Sequence, residues 1–408
     1  GSSGVRIGTR RPRPTYGRRA TLTHSFVRSF VRQVVDGIPS GYGGPRMSLE
    51  QRHRLQAETA AKLELQRTRV VCGPDGNLYT SSGFDTVVGP SSSAAHQTID
   101  EFADSFLSNL EIEIRSREEM TMEFIVTGIS CSLANALRRA MIAEVPTMAI
   151  EHVFIKNNTS IIQDEVLAHR LGMIPLRIDP RKFEMKKKGD PTTEKNTVIL
   201  KMDVRCDDSH PKDATLSVVS DALTWLPGGT ELEPEVFKAE WGADQRDMVK
   251  EPVRAVHDDI LVAKLRSKQE ISLECHCVKG TGEDHAKWSP VATAWYKLYP
   301  EVVLLKEVTR EQGAALAGEL PGLVEVDGKG RVVVRDALEY PKLLEKVRRM
   351  SGEEPWSQVL QLRKRKDKFV FTIESTGAYS PWEIWEEAVA RLASKCDKVL
   401  EGLARGEE

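Results

Sequence analysis

Residues 133–175 read LANALRRAMIAEVPTMAIEHVFIKNNTSIIQDEVLAHRLGMIP, and the architecture of the whole chain follows from this stretch. It opens with small and apolar residues that predict a helix, with Arg138 and Arg139 side by side within it. Pro146 ends that helix, because the residue before a proline avoids the helical conformation. Short polar and apolar runs follow, without a recognisable nucleophile and base. The stretch therefore favours a surface that holds another protein.

The predicted helix has one apolar side and small residues throughout. Ser130 or Ser132 can cap it, because a hydroxyl accepts a hydrogen bond from a free first-turn amide. The apolar stripe consists of Leu133, Leu137, Ala140 and Met141, and further alanines keep the helix thin enough for another helix to approach closely. Both arginines point away from the stripe. An ordinary core helix with two solvated arginines fits this pattern equally well.

Length and composition exclude several classes of protein. The chain has 408 residues, 40% of them hydrophobic and 29% charged, which suits a soluble globular protein of two or three domains. A formal net charge of -2 gives no overall attraction to nucleic acid or to an anionic membrane. The 6 cysteines are dispersed, which indicates a reducing compartment. No apolar run reaches the roughly 18–20 residues of a membrane span.

The N-terminal segment is rich in arginine and has no acidic residue before Asp36. Apolar residues recur there at helical spacing, from Phe26 to Val35, and an amphipathic, arginine-rich, acid-poor segment is typical of an organelle transit peptide. A disordered basic extension is the alternative that we favour. Gly, Pro and Ser then predict a linker at 37–44, and residues 49–66 predict a polar helix.

Two alternating segments, 111–114 and 120–126, predict strands with one buried face each. Residues 369–374 predict another strand, which follows the basic run 363–368. The last helix is predicted most clearly: Ser380, Pro381 and Glu383 form a capping box with proline at the first helical position. Its long apolar stripe must pack on the chain's own sheet or on a partner. That stripe comprises Trp385, Ala388, Val389, Leu392, Cys396, Val399 and Leu403.

Candidate metal ligands occur in two places. Glu165 and His169 share a helix face, but a zinc protease helix needs a second histidine. The run Cys275-His276-Cys277, with His285 nearby, offers three ligands and a fourth. In a strand, however, the two cysteines share one face and His276 points to the other. We therefore expect no metal and no cofactor.

Enzyme motifs are absent from the sequence. It contains no GxxxxGK[ST] or GxGxxG phosphate-binding loop and no nucleophile elbow. The acidic pairs Asp207-Asp208 and Asp258-Asp259 have no third carboxylate nearby in sequence. We therefore expect a chain without catalytic residues.

The run from Asn135 to Thr147 resembles the signature helix of the alpha-like subunits of DNA-directed RNA polymerases. This family includes the bacterial alpha N-terminal domain, the D-type subunits of archaea and the third-largest eukaryotic subunits. Similar blocks follow in order at 158–160, 164–165, 168–172, 174–176, 252–261, 277–280, 285–294 and 371–377. So many ordered blocks exclude a chance match. The long basic N-terminus departs from the family, whose members usually have a shorter and less basic one.

The branch of the family is indicated by the positions of the cysteines and by three short segments of sequence. RNA polymerase II and archaeal members usually carry cysteines for zinc or an iron–sulfur cluster in the inserted region, whereas residues 152–270 contain only Cys206. Residues 161–163, 179–184 and 224–227 are most similar to the alpha-like subunit of roughly 40 kDa that RNA polymerases I and III share.

The resemblance implies an α+β fold with a split alpha-like dimerisation domain, interrupted by an inserted, mostly-β domain. Two halves that each expose an apolar helix need one another, which agrees with this split. The expected organisation is a basic, disordered extension (1–66), an arm (67–104), the first part of the dimerisation domain (105–151), the inserted domain (152–299), an extra α/β module (300–362) and the second part of the dimerisation domain (363–408).

The resemblance also implies a non-catalytic assembly subunit, with catalysis left to the large subunits. It would pair with a small alpha-like subunit and dock the largest and second-largest subunits, with little direct DNA contact and no membrane contact. We expect Arg138 and Arg139 to contact a large subunit, since arginine pairs bidentately with carboxylates. The expected partner-helix interface is Leu133, Ala136, Leu137, Ala140, Met141, Trp385, Val389 and Leu392.

Such a subunit serves transcription of rRNA, 5S rRNA and tRNA in the nucleolus and nucleoplasm of the nucleus. An RNA polymerase II-type third subunit is the first alternative. A stand-alone metal-binding protein that uses Cys275, His276, Cys277 and His285 is the second. The transit-like N-terminus would add a mitochondrial address.

Overall fold

The computed structural model describes residues 49–78, 104, 106–187, 189–207, 215–233, 237, 239–328 and 330–406. The chain divides into two units, Gly1–Leu63 and Glu64–Glu408. In the first unit the described residues are helical, and Arg54 pairs with Glu58 one turn later at 3.0 Å. The expectations for the basic extension and its transit-like pattern at residues 1–48 lie outside the described residues.

The helices are α1 (Leu49–Thr68), α2 (Cys131–Ala143), α3 (Asp164–Gly172), α4 (Arg310–Glu319), α5 (Pro341–Met350) and α6 (Pro381–Gly406). The strands are β1 (Arg69–Gly73), β2 (Gly76–Leu78), β3 (Glu111–Arg117), β4 (Thr121–Thr127), β5 (Thr147–Asn158), β6 (Leu176–Arg177), β7 (Thr197–Arg205), β8 (Leu216–Val219), β9 (Thr224–Trp225), β10 (Arg254–Ala255), β11 (Leu261–Leu265), β12 (Glu270–Gly280), β13 (Val291–Leu304), β14 (Val324–Val326), β15 (Val332–Val334) and β16 (Leu360–Ser375). The α+β class predicted from the sequence is confirmed.

Strand β16 is the centre of a 6-stranded sheet. One edge of it pairs with β13 from Leu360 to Ser375. The other edge pairs first with β1, which extends the sheet to β2, and then with β4, which extends it to β3. All of these pairings are antiparallel. A single strand therefore joins segments from the beginning, the middle and the end of the described chain.

Strand β16 is longer than the sequence predicted. Residues 369–374 alternate regularly and were expected to form the strand, but the charged residues 363–368 belong to it as well. Leu360 and Leu362 are buried on one side, while the side chains of the charged run 363–368 that follows them are only half-buried. The basic run therefore alternates between both faces of the strand, and its first half is paired on both edges, where β1 pairs with Arg363 to Arg365 and β13 pairs with Arg363 and Lys364.

Helices α2 and α6 cover one face of this sheet. Their buried side chains form one core with Phe124 of β4 and with Phe369 and Phe371 of β16. The Ser130 hydroxyl accepts a hydrogen bond from the Leu133 amide at 3.3 Å, so Ser130 is the N-cap of α2. The capping box of α6 is present, since the Glu383 carboxylate accepts from the Ser380 amide and hydroxyl, at 2.9 Å each.

The segment between α2 and β13 builds a second core of its own. Strands β5, β12, β7 and β9 form a 4-stranded antiparallel sheet in that order. Helix α3 packs its buried Leu167 and Leu171 against one face, where Leu200 and Cys275 are also fully buried. The small pairs β6–β10 and β8–β11 close the same core.

The segment 305–359 packs on the half of the main sheet that β1 shares with β16. Its helices α4 and α5 and the β14–β15 hairpin bury Leu316, Leu320 and Val347 against Leu360 and Leu362. Strands β5, β13 and β16 run across the expected boundaries at 151/152, 299/300 and 362/363. Neighbouring segments of the expected organisation therefore share strands as well as cores.

A charged contact joins the segment between α2 and β13 to α6. Arg181 pairs with Glu383 of α6 at 2.8 Å, and its Nε donates to Asp179 at 2.9 Å. The guanidinium also lies 5.5 Å from the centre of the Tyr379 ring. Because Glu383 belongs to the capping box, Arg181 contacts the helix at the group that fixes its first turn.

A buried carboxylate holds a long connection against the 4-stranded sheet. Glu274 of β12 accepts from His276 at 2.7 Å, from the Thr230 hydroxyl and from the Glu231 amide at 3.1 Å. Glu274 and His276 are 2% and 1% exposed. Burial alone raises the pKa of the Glu274 carboxyl, but the three hydrogen bonds outweigh it and hold the pKa below its ordinary value.

We predict that Glu274→Ala lowers the free energy of unfolding by about 3 kcal/mol, because it leaves buried donors without an acceptor. Since the folded pKa is depressed, this contribution is complete above the ordinary carboxyl pKa of 4.5 and is lost as the pH falls through the folded value. Urea unfolding at several pH values measures both effects. Glu231→Ala, which removes an exposed pair with Lys201, is the control and should cost about 1 kcal/mol or less. Equal effects of the two substitutions would contradict the role of Glu274.

Candidate partner interface

Helices α2 and α6 lie against each other and cover this face of the sheet, and Phe106 and Leu110 from the segment before β3 pack against the same core. Ala134 and Ala140 of α2 and Ala388 of α6 are at most 1% exposed. Small side chains at these positions let the two helices approach closely. Lys395 of α6 also forms an ion pair with Glu144, the residue that caps the end of α2. The two helices are therefore joined by packing and by one charged contact.

Four of the eight expected interface residues are buried inside the chain. Leu137, Ala140, Met141 and Trp385 are between 0% and 5% exposed, and all of them belong to the core beneath the helix pair. The Trp385 ring lies 4.8 Å from that of Phe124 and 5.4 Å from that of Phe371, centre to centre. A partner that docks without rearranging the helix pair could therefore contact very little of these four side chains.

The other four expected residues keep accessible surface. Leu133, Ala136 and Leu392 are half-buried, and Val389 is 44% exposed. Val389 and Leu392 lead into the second half of α6, where Val399, Leu400 and Leu403 are 62% to 64% exposed. We call Val389, Leu392, Val399, Leu400 and Leu403 the outer stripe of α6. Successive members of this stripe are three, seven, one and three residues apart, and these spacings keep all of them on one side of the helix.

Strand β3 adds apolar surface beside the helix pair. Its Ile112 and Ile114 pair with Val126 and Phe124 of β4, so all four side chains point to the face that the helices cover. The two isoleucines are nevertheless 40% and 45% exposed. The expectation of one buried face for 111–114 is therefore wrong within this chain, because β3 is the edge strand and no helix of the described part reaches over it.

The outer stripe and the exposed face of β3 were only partly found from the sequence. The stripe of α6 was recognised, but Leu400 was not assigned to it, although it follows Cys396 by four residues. The alternation at 111–114 was interpreted as a sign of burial, and nothing in the sequence separates an edge strand from a central one. An exposed apolar surface of this kind is typical of protein interaction sites.

The two expected docking arginines differ in their surroundings. Arg138 is half-buried and donates from Nε and Nη2 to the Asn135 side chain, at 3.2 and 2.9 Å. Arg139 is exposed, and among the described residues no hydrogen bond or ion pair engages its side chain. Arg139 therefore presents a complete guanidinium to solvent, whereas Arg138 is held along its own helix.

The candidate metal ligands do not converge. Cys275 and Cys277 face the apolar core, and burial raises the pKa of both thiols, that of Cys275 to about 12. Their neighbour His276 points to the opposite face, toward Glu274. His285 is exposed and accepts from the Lys287 amide. Within the described part of the chain, no group of three histidine, cysteine or acidic residues is placed to hold a metal ion.

A groove of about 460 Å³ lies beside the end of α2, between Ile142, Ser289 and Trp295. Among the described residues, its lining contains no acidic, basic or thiol side chain. The hydroxyl groups of Ser289 and Thr293 in this lining have no acidic or basic side chain of the lining beside them to activate them as nucleophiles. None of the helices in the described ranges has the length and apolarity that a bilayer crossing requires.

The part of the chain that is similar to known proteins includes the helix pair and the central strand of the main sheet. The family model described as the RNA polymerase Rpb3/Rpb11 dimerisation domain matches residues 123–396, which include α2, β16 and most of α6. The DNA-directed RNA polymerases I and III subunit RPAC1 of Bos taurus is 39% identical, over 84% of this chain and 97% of that protein. In Dictyostelium discoideum, the RNA polymerases I and III subunit rpac1 is 37% identical (84% and 94% covered), and the RNA polymerase II subunit rpb3 is 32% identical (72% and 95% covered).

Because the two side chains differ in burial, we predict a large loss of stability for one apolar substitution on the helix pair and a small change for another. Met141→Ala should lower the free energy of unfolding of the isolated chain by about 2–5 kcal/mol, since it leaves a cavity in the core. Leu400→Ala should change it by about 0.5 kcal/mol or less, since that side chain is largely exposed. Denaturant unfolding of both full-length variants measures the difference. A large loss with Leu400→Ala would show that the outer stripe packs on this chain itself.

Proposed function

We propose that this chain, which belongs to the family of RNA polymerase subunits with the Rpb3/Rpb11 dimerisation domain, is an architectural subunit of RNA polymerases I and III that pairs with a small alpha-like subunit. The resemblance predicted from the sequence, including that to the RNA polymerase I and III subunit, is confirmed. Membership of a DNA-directed RNA polymerase follows from these relatives. The pairing, its location on the chain and the docking of large subunits are the parts that we propose.

The outer stripe of α6 is the observation that carries the proposal. Three of its side chains are more than 60% exposed on one side of a helix whose first half lies in the core. A stripe of this length is not covered by any described part of the chain. A partner with an apolar helix of its own would bury it, as protein interfaces bury their central apolar residues.

The exposed face of β3 supports the same location. Ile112 and Ile114 lie on the sheet face that α6 covers, so a partner over α6 could also cover them. We therefore propose the outer stripe of α6, together with these two isoleucines, as the main contact for the small alpha-like subunit. Leu133 and Ala136 of α2 would contribute their half-exposed surface. Leu137, Ala140, Met141 and Trp385 would support the interface from beneath.

The assignment to RNA polymerases I and III is supported by comparison within one organism. The Dictyostelium relative from polymerases I and III matches this chain at higher identity, and over more of its length, than the relative from polymerase II. The lack of cysteines other than Cys206 between residues 152 and 270 supports the same choice. The chain would then serve synthesis of rRNA, 5S rRNA and tRNA, in the nucleus, with its nucleolar fraction in polymerase I. An RNA polymerase II-type third subunit is the alternative, at 32% identity.

The chain contributes binding surfaces and no catalytic group in this proposal. Within the described part of the chain no metal-binding cluster is formed, and the His276–Glu274 pair is buried away from any substrate, so in this proposal catalysis would belong to the large subunits. Arg139, exposed and without a partner among the described side chains, is the stronger candidate for contact with a large subunit. Its planar guanidinium can pair bidentately with a carboxylate of that subunit. Arg138, whose side chain is held by its hydrogen bond to Asn135, would lie beside this contact.

We predict that Val389→Asp weakens binding of a small alpha-like subunit of RNA polymerases I and III by about tenfold to a hundredfold, because it places a carboxylate in an apolar contact. Val333→Asp is the matched control, since Val333 of β15 is 45% exposed and Val389 is 44% exposed. Co-expression of each variant with the tagged small subunit, followed by titration of the purified chains, measures the affinity. Unchanged binding by Val389→Asp would place the interface elsewhere.

We predict that Arg139→Glu preserves the heterodimer but reduces incorporation of the two largest subunits at least several-fold, through charge repulsion at the contact. The matched control is Arg349→Glu, which reverses an exposed arginine on α5. Quantitative mass spectrometry of complexes purified through the small subunit measures the ratio of large subunits to heterodimer. Normal incorporation with Arg139→Glu, or an equal loss with Arg349→Glu, would contradict the docking role.

A further inference from the structure

A second charged surface lies on the main sheet, away from the helix pair. Arg363 and Arg365 of β16 share one face of the strand, opposite to the buried Leu360 and Leu362. Arg69 of β1 pairs with Arg365 in the strand register, so it lies on the same face. We call Arg69, Arg363 and Arg365, with Glu301 and Asp367, the arginine face.

Two of the three guanidinium groups already have carboxylate partners. Arg69 pairs with Glu301 at 2.8 Å, and Arg365 pairs with Asp367 at 2.6 Å. These four side chains are between 21% and 43% exposed, so the pairs are partly removed from water. Each pair is therefore committed within the chain.

Arg363 is the cation that is left over. It stands beside Val71 of β1 on one side and Glu301 of β13 on the other. Its Nε donates to Gln361 at 2.7 Å, and among the described residues no carboxylate lies within ion-pair distance of it. A guanidinium has five N–H donors, so its outer nitrogens still have donors to offer.

The surroundings of Arg363 make its charge costly. Burial lowers its pKa, and the positive charge of Arg69 lowers it further, against an opposing effect of Glu301. A carboxylate that arrived beside Arg363 would offset this cost by pairing with the one guanidinium of the arginine face that has no carboxylate partner among the described residues. In a partly buried site such a pair gains more than at an exposed position, because solvent screens it less.

We propose that the arginine face binds an acidic segment of another protein, with one of its carboxylates on the outer nitrogens of Arg363. The geometry fits a peptide carboxylate, which a guanidinium can grip with two parallel hydrogen bonds. It fits a nucleic acid less well, because a continuous row of phosphates needs several free cations, whereas Arg69 and Arg365 are already paired with Glu301 and Asp367. This binding is separate from the heterodimer contact on α6 and does not depend on it.

The test uses the full chain and a short fluorescein-labelled peptide rich in glutamate, with fluorescence anisotropy as the readout. The expected result is binding that weakens as salt is raised and that falls about tenfold or more with Arg363→Gln. Arg349→Gln, at an exposed arginine of α5, is the matched control and should leave binding unchanged. A glutamine-rich peptide of the same length should not bind.

Two further measurements keep the proposal open to refutation if Arg363→Gln disturbs folding. Arg363→Lys keeps the charge but loses the fork, so its affinity should fall between those of the wild-type chain and Arg363→Gln. Glu301→Gln frees Arg69 for the ligand, so it should strengthen binding several-fold. If the affinity for the glutamate peptide were the same in the wild-type chain and in all three variants, the proposal would be overturned. Stronger, Arg363-dependent binding of a labelled single-stranded DNA would also overturn it, in favour of nucleic acid.

Discussion

The double-sided pairing of β16 is the constraint on which the rest of the structure depends. One edge of this strand pairs with β13 from Leu360 to Lys364 and again from Phe369 to Ser375, and the other is divided between β1 and β4. Its side chains therefore contribute to two cores, through Phe369 and Phe371 beneath the helix pair and through Leu360 and Leu362 beneath α4 and α5. No other described strand joins so many parts of the chain. The segment between α2 and β13 can be large because its two ends are fixed at this sheet.

The helix pair packs on that sheet but covers its face only in part. Two helices bury Phe124, Phe369 and Phe371, but they leave Ile112 and Ile114 of the edge strand partly open to solvent. The same helix α6 then continues beyond the core with its apolar side exposed. The chain thus has a complete core and an apolar surface next to it, which agrees with a protein that folds its own domain and then joins a partner. Arg181 contacts the first turn of α6 through Glu383, and Lys395 joins a later part of α6 to Glu144 at the end of α2.

Sequence reasoning recovered the elements whose signals are local. The capping box at Ser380 and Glu383 gave the start of α6, and Pro146 gave the end of α2, because caps and prolines act within one turn. It did not recover features that depend on distant neighbours. The charged run of β16 is a strand only because β1 and β13 flank it, and Met141 is core only because the sheet lies beneath it. For the same reason, a stripe of apolar residues on α6 could not be divided in advance into its buried and exposed parts.

The pairing of β4 with β16 also fixes the order in which the chain can mature during synthesis. Phe124 and Phe371 are opposite each other in the sheet but 247 residues apart in the chain, from 371 minus 124. At about 5–20 residues per second, a ribosome needs roughly 10–50 s to cover that distance. Throughout this interval β4 and α2 exist without their central strand, and their apolar faces are available to chaperones or to misassembly. The helix that completes the core and carries the outer stripe follows β16 in the chain, so the surface for a partner forms only after this interval.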